Sequence, residues 1–99
     1  MILEITRVDV VPGLESEFEH RIAQALPIFQ GCRGWCGMEL QRSVQRPNRF
    51  YLLARWDGTE HHAADFACPP ARQEWHKLVG HLFLTSPEVE QFQQSFRGY

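Results

Sequence analysis

Long hydrophobic runs are missing from the chain. The longest apolar stretches cover four or five residues, whereas a helix that crosses a bilayer needs about 20. The opening Met1-Ile2-Leu3-Glu4 also lacks the positively charged start of a secretory signal peptide. These features predict a soluble, cytoplasmic protein without a membrane partner.

No charge of one sign dominates either. Ten Lys and Arg residues stand against twelve Asp and Glu residues, for a net charge of −2 at pH 7. The basic residues are scattered rather than striped, which argues against nucleic acid as a partner. With 43% apolar and 22% charged residues, residues 1–99 have the composition of a single globular domain.

The common motifs of phosphate, nucleotide and metal sites are also absent. There is no glycine-rich phosphate loop, no nucleophile elbow and no Rossmann fingerprint. His61 and His62 point about 100° apart on a helix, and His76 and His81 also diverge. We therefore expect no bound metal.

Cysteine is scarce and odd in number. Cys32 and Cys36 have a C-x3-C spacing, which matches neither a zinc knuckle nor a thioredoxin motif, and Cys68 stands apart. In a cytoplasmic protein, reduced structural thiols are the expected state. The sequence leaves open whether Cys32 and Cys36 ever oxidise.

The first half of the chain predicts a strand, a helix and a hairpin. Residues 2–11 are rich in β-branched side chains, and from Leu14 the apolar residues recur at helical spacing for about four turns. Residues 35–45 alternate in polarity, with one side formed by Cys36, Met38, Leu40 and Val44. Residues 50–56 follow after a turn and are apolar on both faces. Because the helices cover only one face of the sheet, we expect a second copy of the chain to cover the other, as a homodimer.

The second half predicts a short helix over residues 59–66, a helical piece from Pro70 and a last strand over residues 89–96. The second helical piece carries an apolar stripe formed by Ala71, Trp75, Leu78, Val79, Leu82 and Phe83. The element order is β-α-β-β-α-β. This order is the ferredoxin-like α+β plan, an antiparallel sheet with helices on one face.

Two histidines are placed to reach a pocket between sheet and helices. His62 and Phe66 are four residues apart and share one face of the short helix. His76 lies at the margin of the apolar stripe centred on Trp75, whereas His81 lies on the opposite, solvent-exposed face of the helix. Core packing is the favoured explanation of Phe66, Trp75, Leu82 and Phe83, and a boundary position is the favoured explanation of His76. His62 is the residue best suited to proton transfer near neutral pH.

Several segments together resemble the antibiotic biosynthesis monooxygenase (ABM) family. They are Ile2-Leu3-Glu4-Ile5, the Val11-Pro12-Gly13 turn, Gly37-Met38-Glu39-Leu40-Gln41-Arg42, Leu52-Leu53-Ala54-Arg55-Trp56, and Glu60-x-His62-x-x-x-Phe66 with Trp75 downstream. The resemblance implies a dimeric α+β barrel, in which two ferredoxin-like subunits press their sheets together and each holds its own pocket. It also implies oxidation of phenolic or quinol-like molecules by molecular oxygen, without metal, flavin or haem.

The resemblance assigns roles residue by residue. In anthrone-oxidising members an asparagine, a tryptophan and a tyrosine surround the substrate, and these fall on Leu52, Trp56 and His62. Leu52 cannot donate a hydrogen bond, so His62 becomes the catalytic base or phenol partner. In haem-degrading relatives the asparagine, tryptophan and histidine fall near Thr6 and on Phe66 and His76.

Three functions remain open at this point. The first is a cofactor-independent monooxygenase with His62 as its catalytic residue. The second is a non-catalytic dimeric module that binds a small molecule in the same pocket, and the third is a haem-binding or haem-degrading protein. The expected substrate-binding residues are Trp56, Phe66, Trp75, His76 and Phe83.

Overall fold

The structure, a computed structural model, describes residues 1–57 and 68–99 of the chain. The elements in order are β1 (Ile2–Asp9), α1 (Glu15–Gln30), β2 (Trp35–Arg42), β3 (Arg49–Trp56), α2 (Pro69–Val79), a 3-10 turn (Gly80–Leu82) and β4 (Glu88–Phe92). The helix predicted over residues 59–66, with His62 and Phe66, lies outside the described residues.

The four strands form one antiparallel sheet in the order β2-β3-β1-β4. Its inner face packs on the two described helices, and the core includes Val8 and Phe50 from the sheet, Phe18 from α1 and Val79 from α2. Alternation along β1 and β3 puts every second side chain into this core. The predicted ferredoxin-like plan is confirmed.

The second strand differs from the prediction at both ends. A β-bulge between Trp35 and Gly37 interrupts the pairing with β3, and Cys36 within it is exposed. The strand ends at Arg42, and Val44 beyond it is 89% exposed. The prediction that Cys36 and Val44 share the face of Met38 is therefore wrong. The bulge shifts the alternation at Cys36 by one residue, and Val44 lies beyond the end of the strand.

The second helix is shorter than its apolar stripe. The α-helix ends at Val79, and a 3-10 turn places Leu82 in the core at 2% exposure. A Cβ atom on Gly80 would overlap the His76 ring, so glycine suits this position. The last strand is also shorter than expected and covers only Glu88–Phe92.

A disulfide joins Cys32 to Cys68, with their Cα atoms 6.3 Å apart. It links the end of α1 to the residue that precedes α2. The expectation of reduced thiols is wrong for these two residues, while Cys36 is a free, exposed cysteine. Thirty-six residues separate the bonded pair, so only the fold brings them together.

The outer face of the sheet carries the side chains that alternate with the core. Leu3, Ile5 and Leu53 on this face are half-buried, and Phe92 is 40% exposed. An ion pair between Arg7 and Glu88 at 2.8 Å lies beside them. Within residues 1–57 and 68–99, no helix is long and apolar enough to cross a membrane.

Candidate functional site

A cavity of about 220 Å³ lies between the inner face of the sheet, the end of α1 and one face of α2. Its described lining consists of Glu4, Thr6, Phe29, Met38, Leu52, Ala54, Trp56, Arg72, Trp75, His76, Pro87 and Val89. Strand alternation aims Leu52, Ala54 and Trp56 at this space. The cavity is the pocket that the sequence predicts between sheet and helices.

Glu4 is the one acidic residue in this lining, and only 5% of it is exposed. Its Oε2 accepts hydrogen bonds from Arg72 Nη2 at 2.9 Å and Gln91 Nε2 at 3.1 Å. Burial of a carboxylate is costly unless it is paired, and these two donors offset the cost.

Trp75 is an aromatic residue of the cavity lining whose indole N–H is itself buried. The residue is 8% exposed, and its Nε1 is buried without a hydrogen-bond acceptor among the described residues. Buried N–H groups are nearly always paired, so such an orphan donor calls for an explanation. Trp35 has a similar N–H but does not line the cavity.

His76 lies at the edge of the cavity on the exposed side of α2. Its ring packs edge-on against Trp75 and Phe83, with centroid separations of 6.4 and 5.9 Å. Phe83 packs behind Trp75 at 5.5 Å and is not part of the cavity lining. The sequence predicts Phe83 as a wall residue because it continues the apolar stripe of a helix. The α-helix ends at Val79, so Phe83 does not continue that stripe.

The structure thus brings together three of the predicted site residues, Trp56, Trp75 and His76. His62 and Phe66 lie outside the described residues. The sequence reasoning missed Glu4 and Arg72 as site residues.

A usable signal existed for both missed residues. Glu4 and Thr6 lie at even spacing from the core residue Val8, so all three share one face of β1. Arg72 precedes Trp75 by three residues and therefore lies on the same side of α2. An acidic residue on a strand face that otherwise enters the core needs a partner, and this need points to a buried polar site.

Metal chemistry has no local candidate in the described parts of the chain. No group of three or more His, Cys, Asp or Glu residues is placed to hold a metal ion there. The polar side chains of the described lining that are not indoles are the Glu4 carboxylate, the Arg72 guanidinium, the Thr6 hydroxyl and the His76 imidazole.

The chain matches a known family over nearly its whole length. The sequence profile of the antibiotic biosynthesis monooxygenases matches residues 1–95. The chain belongs to this family. The uncharacterized protein YczJ of Bacillus subtilis (strain 168) is 32% identical over 93 residues, which cover 94% of this chain and 98% of that protein.

Solved structures agree with the ABM assignment. A protein from Bordetella bronchiseptica, described as a candidate antibiotic biosynthesis monooxygenase, is 40% identical with a TM-score of 0.88, and the match covers 96% of this chain and 97% of that one. SnoaB from Streptomyces nogalater, a cofactor-independent oxygenase, has a TM-score of 0.77 at 20% identity over 97% of this chain and 94% of its own. The likeness to SnoaB shows a shared fold.

Proposed function

We propose that this ABM protein is a cofactor-independent monooxygenase that oxidises a phenolic or quinol-like small molecule with molecular oxygen. The observation that carries the proposal is a largely apolar cavity, walled by Trp56 and Trp75, in a chain of the ABM family. Such a cavity binds an aromatic ring and excludes water, which strengthens electrostatic interactions with the bound molecule.

The reaction needs no electron source other than the substrate. Once deprotonated, an electron-rich ring reduces oxygen, and a carbon–oxygen bond forms at a ring carbon that bears hydrogen. The O–O bond then breaks, so that one oxygen atom becomes a carbonyl of the product and the other leaves as water. The protein's part is to bind the ring, accept a proton and stabilise the anion.

The proposed roles follow the geometry. Trp56 and Trp75 hold the ring system, and His76 borders the cavity. Leu52, at the position of the family's asparagine, lies in the lining as a purely apolar contact. His62 as the proton acceptor remains a prediction, as does Phe66 as a wall residue.

An oxygen electrode tests this function. The protein is mixed with a reduced naphthoquinol or an anthrone, and oxygen uptake is compared with that of His62→Ala and of the control His81→Ala, which changes an exposed residue. We expect uptake above the buffer rate, lost in His62→Ala and kept in His81→Ala. Uptake at the buffer rate for all three would favour the non-catalytic binding module.

The homodimer is the second part of the proposal. The outer sheet face presents Leu3, Ile5, Leu53 and Phe92, and an open groove of about 530 Å³ runs along β4 on the same side. An apolar sheet face of this kind is stably covered by a second sheet. Sedimentation equilibrium gives the oligomeric state directly.

Haem fits this cavity poorly. A volume of about 220 Å³ is below the roughly 300–1,000 Å³ that sites for drug-sized ligands need, and haem is larger than most such ligands. The His76 ring, the proposed axial ligand, is packed edge-on against two aromatic rings. We therefore propose no haem-dependent step, and a haem titration without a His76-dependent Soret band would agree.

The disulfide bears on the predicted cytoplasmic location. Disulfides persist mainly in oxidising compartments, whereas the cytoplasm keeps most protein thiols reduced. We keep the cytoplasmic location as a proposal. Thiol-trapping mass spectrometry on intact cells tests it, because a cytoplasmic pool would show Cys32 and Cys68 reduced.

A further inference from the structure

We propose that the Cys32–Cys68 disulfide is a redox switch of the cavity. With the disulfide formed, the cavity binds an aromatic ligand, and in the dithiol form it binds the same ligand more weakly. The partner in the exchange is a low-molecular-weight thiol or its disulfide. The inference rests on the proposed function in taking the cavity as the substrate site, and it adds a control on that site.

The disulfide packs into the wall of the cavity. Cys32 is 7% exposed and belongs to a buried cluster with Ala54, Trp56 and Ala71. Cys68 packs against the same cluster, and Ala54 and Trp56 also line the cavity. Protein interiors are close-packed and transmit strain, so a displacement of either sulfur atom reaches the cavity wall.

Cys68 also fixes the start of α2. Its carbonyl oxygen accepts hydrogen bonds from the backbone N–H groups of Ala71 at 2.9 Å and Arg72 at 3.1 Å. The Arg72 side chain lines the cavity and donates to Glu4 Oε2 at 2.9 Å. The position of Cys68 therefore sets the position of this guanidinium relative to β1.

The backbone of Cys68 has a conformation that an L-residue rarely adopts. Its φ of 30° and ψ of 63° lie in the left-handed region, and no other non-glycine residue within 1–57 and 68–99 has a positive φ. Its side chain makes no capping hydrogen bond to α2. A residue with a Cβ atom keeps such a backbone only where its surroundings hold it there. The bond to Cys32 supplies this restraint, and its loss lets Cys68 return to a negative φ and displaces the first turn of α2.

Two thiols balance the opening reaction. A thiolate RS⁻ attacks the sulfur of Cys68, which is half-buried and so more accessible than that of Cys32. The S–S bond breaks, Cys32 leaves as a thiolate that takes up a proton, and Cys68 is held as a mixed disulfide with R. A second RS⁻ attacks the sulfur of R, which forms RSSR and frees Cys68. Two electrons thus pass from two thiols to the protein.

The reverse exchange with RSSR closes the disulfide again. In a reducing compartment the dithiol form is the resting state. Oxidation of the thiol pool then turns ligand binding on.

The test measures binding of 2-naphthol, a two-ring phenol that air does not readily oxidise, by calorimetry. The wild type is measured oxidised and after reduction with a phosphine, beside the control Cys36→Ser, which keeps the disulfide. Two double variants remove the bond and differ only in the methyl group at residue 68. They are Cys32→Ala with Cys68→Ala, and Cys32→Ala with Cys68→Gly. Circular dichroism checks that each sample is folded.

In the wild type and in Cys36→Ser, we expect reduction to weaken binding by roughly 5- to 30-fold, the factor that matches the preference against left-handed backbone. The Cys68→Ala double variant binds as weakly as the reduced wild type and does not respond to the phosphine. The Cys68→Gly double variant recovers to within about threefold of the oxidised wild type, because glycine adopts a positive φ at little cost. A disulfide that only stabilises the fold predicts no difference between these two variants.

Equal affinity of the oxidised and reduced wild type would overturn the inference, as would unfolding on reduction or no binding by the oxidised protein. Equally weak binding by the two double variants would also overturn it. Redox-dependent binding without oxygen uptake in the electrode assay would keep the switch and reject the monooxygenase. Oxygen uptake at the wild-type rate by the Cys68→Ala double variant, with redox-independent binding, would do the reverse.

Discussion

The Cys32–Cys68 disulfide supports a quantitative prediction about stability. It closes a loop with a sequence separation of 36 residues, and the chain-entropy relation for a loop of that length gives about 3.8 kcal/mol at 25 °C. A domain of this size is stable by about 5–15 kcal/mol in total. Loss of the bond therefore removes a large share of the free energy of unfolding.

The assay is urea unfolding of the wild type with and without reductant, beside Cys32→Ser and the control Cys36→Ser. We expect reduction and Cys32→Ser each to lower the free energy of unfolding by about 3–4 kcal/mol, and the melting temperature by roughly 15 °C. Cys36→Ser changes neither by much, because Cys36 is free and exposed.

Alkylation and mass spectrometry of the unreduced protein should count one reactive thiol. Three reactive thiols, or a reductant effect below about 1 kcal/mol, would refute the reasoning.

Three further outcomes are expected. The Arg49 hydrogen bond lowers the pKa of Asp9 from its ordinary value of 3.8, so the pair stabilises the fold above that pH and the stabilisation is lost as pH falls through the lowered pKa. In urea unfolding, Arg49→Gln should accordingly lower the free energy of unfolding relative to the wild type. This loss should be complete at pH 6 and should shrink below about pH 3.8. Leu53→Lys places a charge on the outer sheet face and should yield monomers in sedimentation, whereas unchanged association would argue against that interface. Gly80→Ala should displace the neighbouring His76 ring, seen as a changed ring signal by NMR, with stability changed by about 0.5 kcal/mol or less.

Local periodicity was enough to predict most of the fold. Phe18, Ile22 and Ala25 recur at helical spacing and are all buried in α1. The β3 strand covers Arg49–Trp56, close to the predicted residues 50–56, although its burial alternates along the strand where its composition is apolar on both faces. The features that were missed depend on distant partners. The Trp35–Gly37 bulge is defined only against β3, and the disulfide only by the approach of α1 to α2.

The sequence was enough to predict the aromatic residues of the candidate site but not its buried carboxylate. Trp56 and Trp75 stand out in the sequence because large aromatic residues on an inward face line any cavity there. Glu4 does not stand out, because an acidic residue on a strand usually faces water. Its role depends on Arg72, which is 68 residues away, and no local pattern reports a partner at that distance.

The position of Glu4 also bears on where negative charge develops during the proposed reaction. Leu52 pairs with Thr6 across β1 and β3, and Glu4 pairs with Ala54 one step along the same face. The charged group of this wall is thus an acceptor on β1, where the family resemblance implies an amide donor on β3. An amide donor stabilises a phenolate, whereas a carboxylate destabilises one beside it. Under the proposed function, we therefore expect the substrate oxyanion to form away from Glu4, toward the part of the cavity that Trp75 and His76 line.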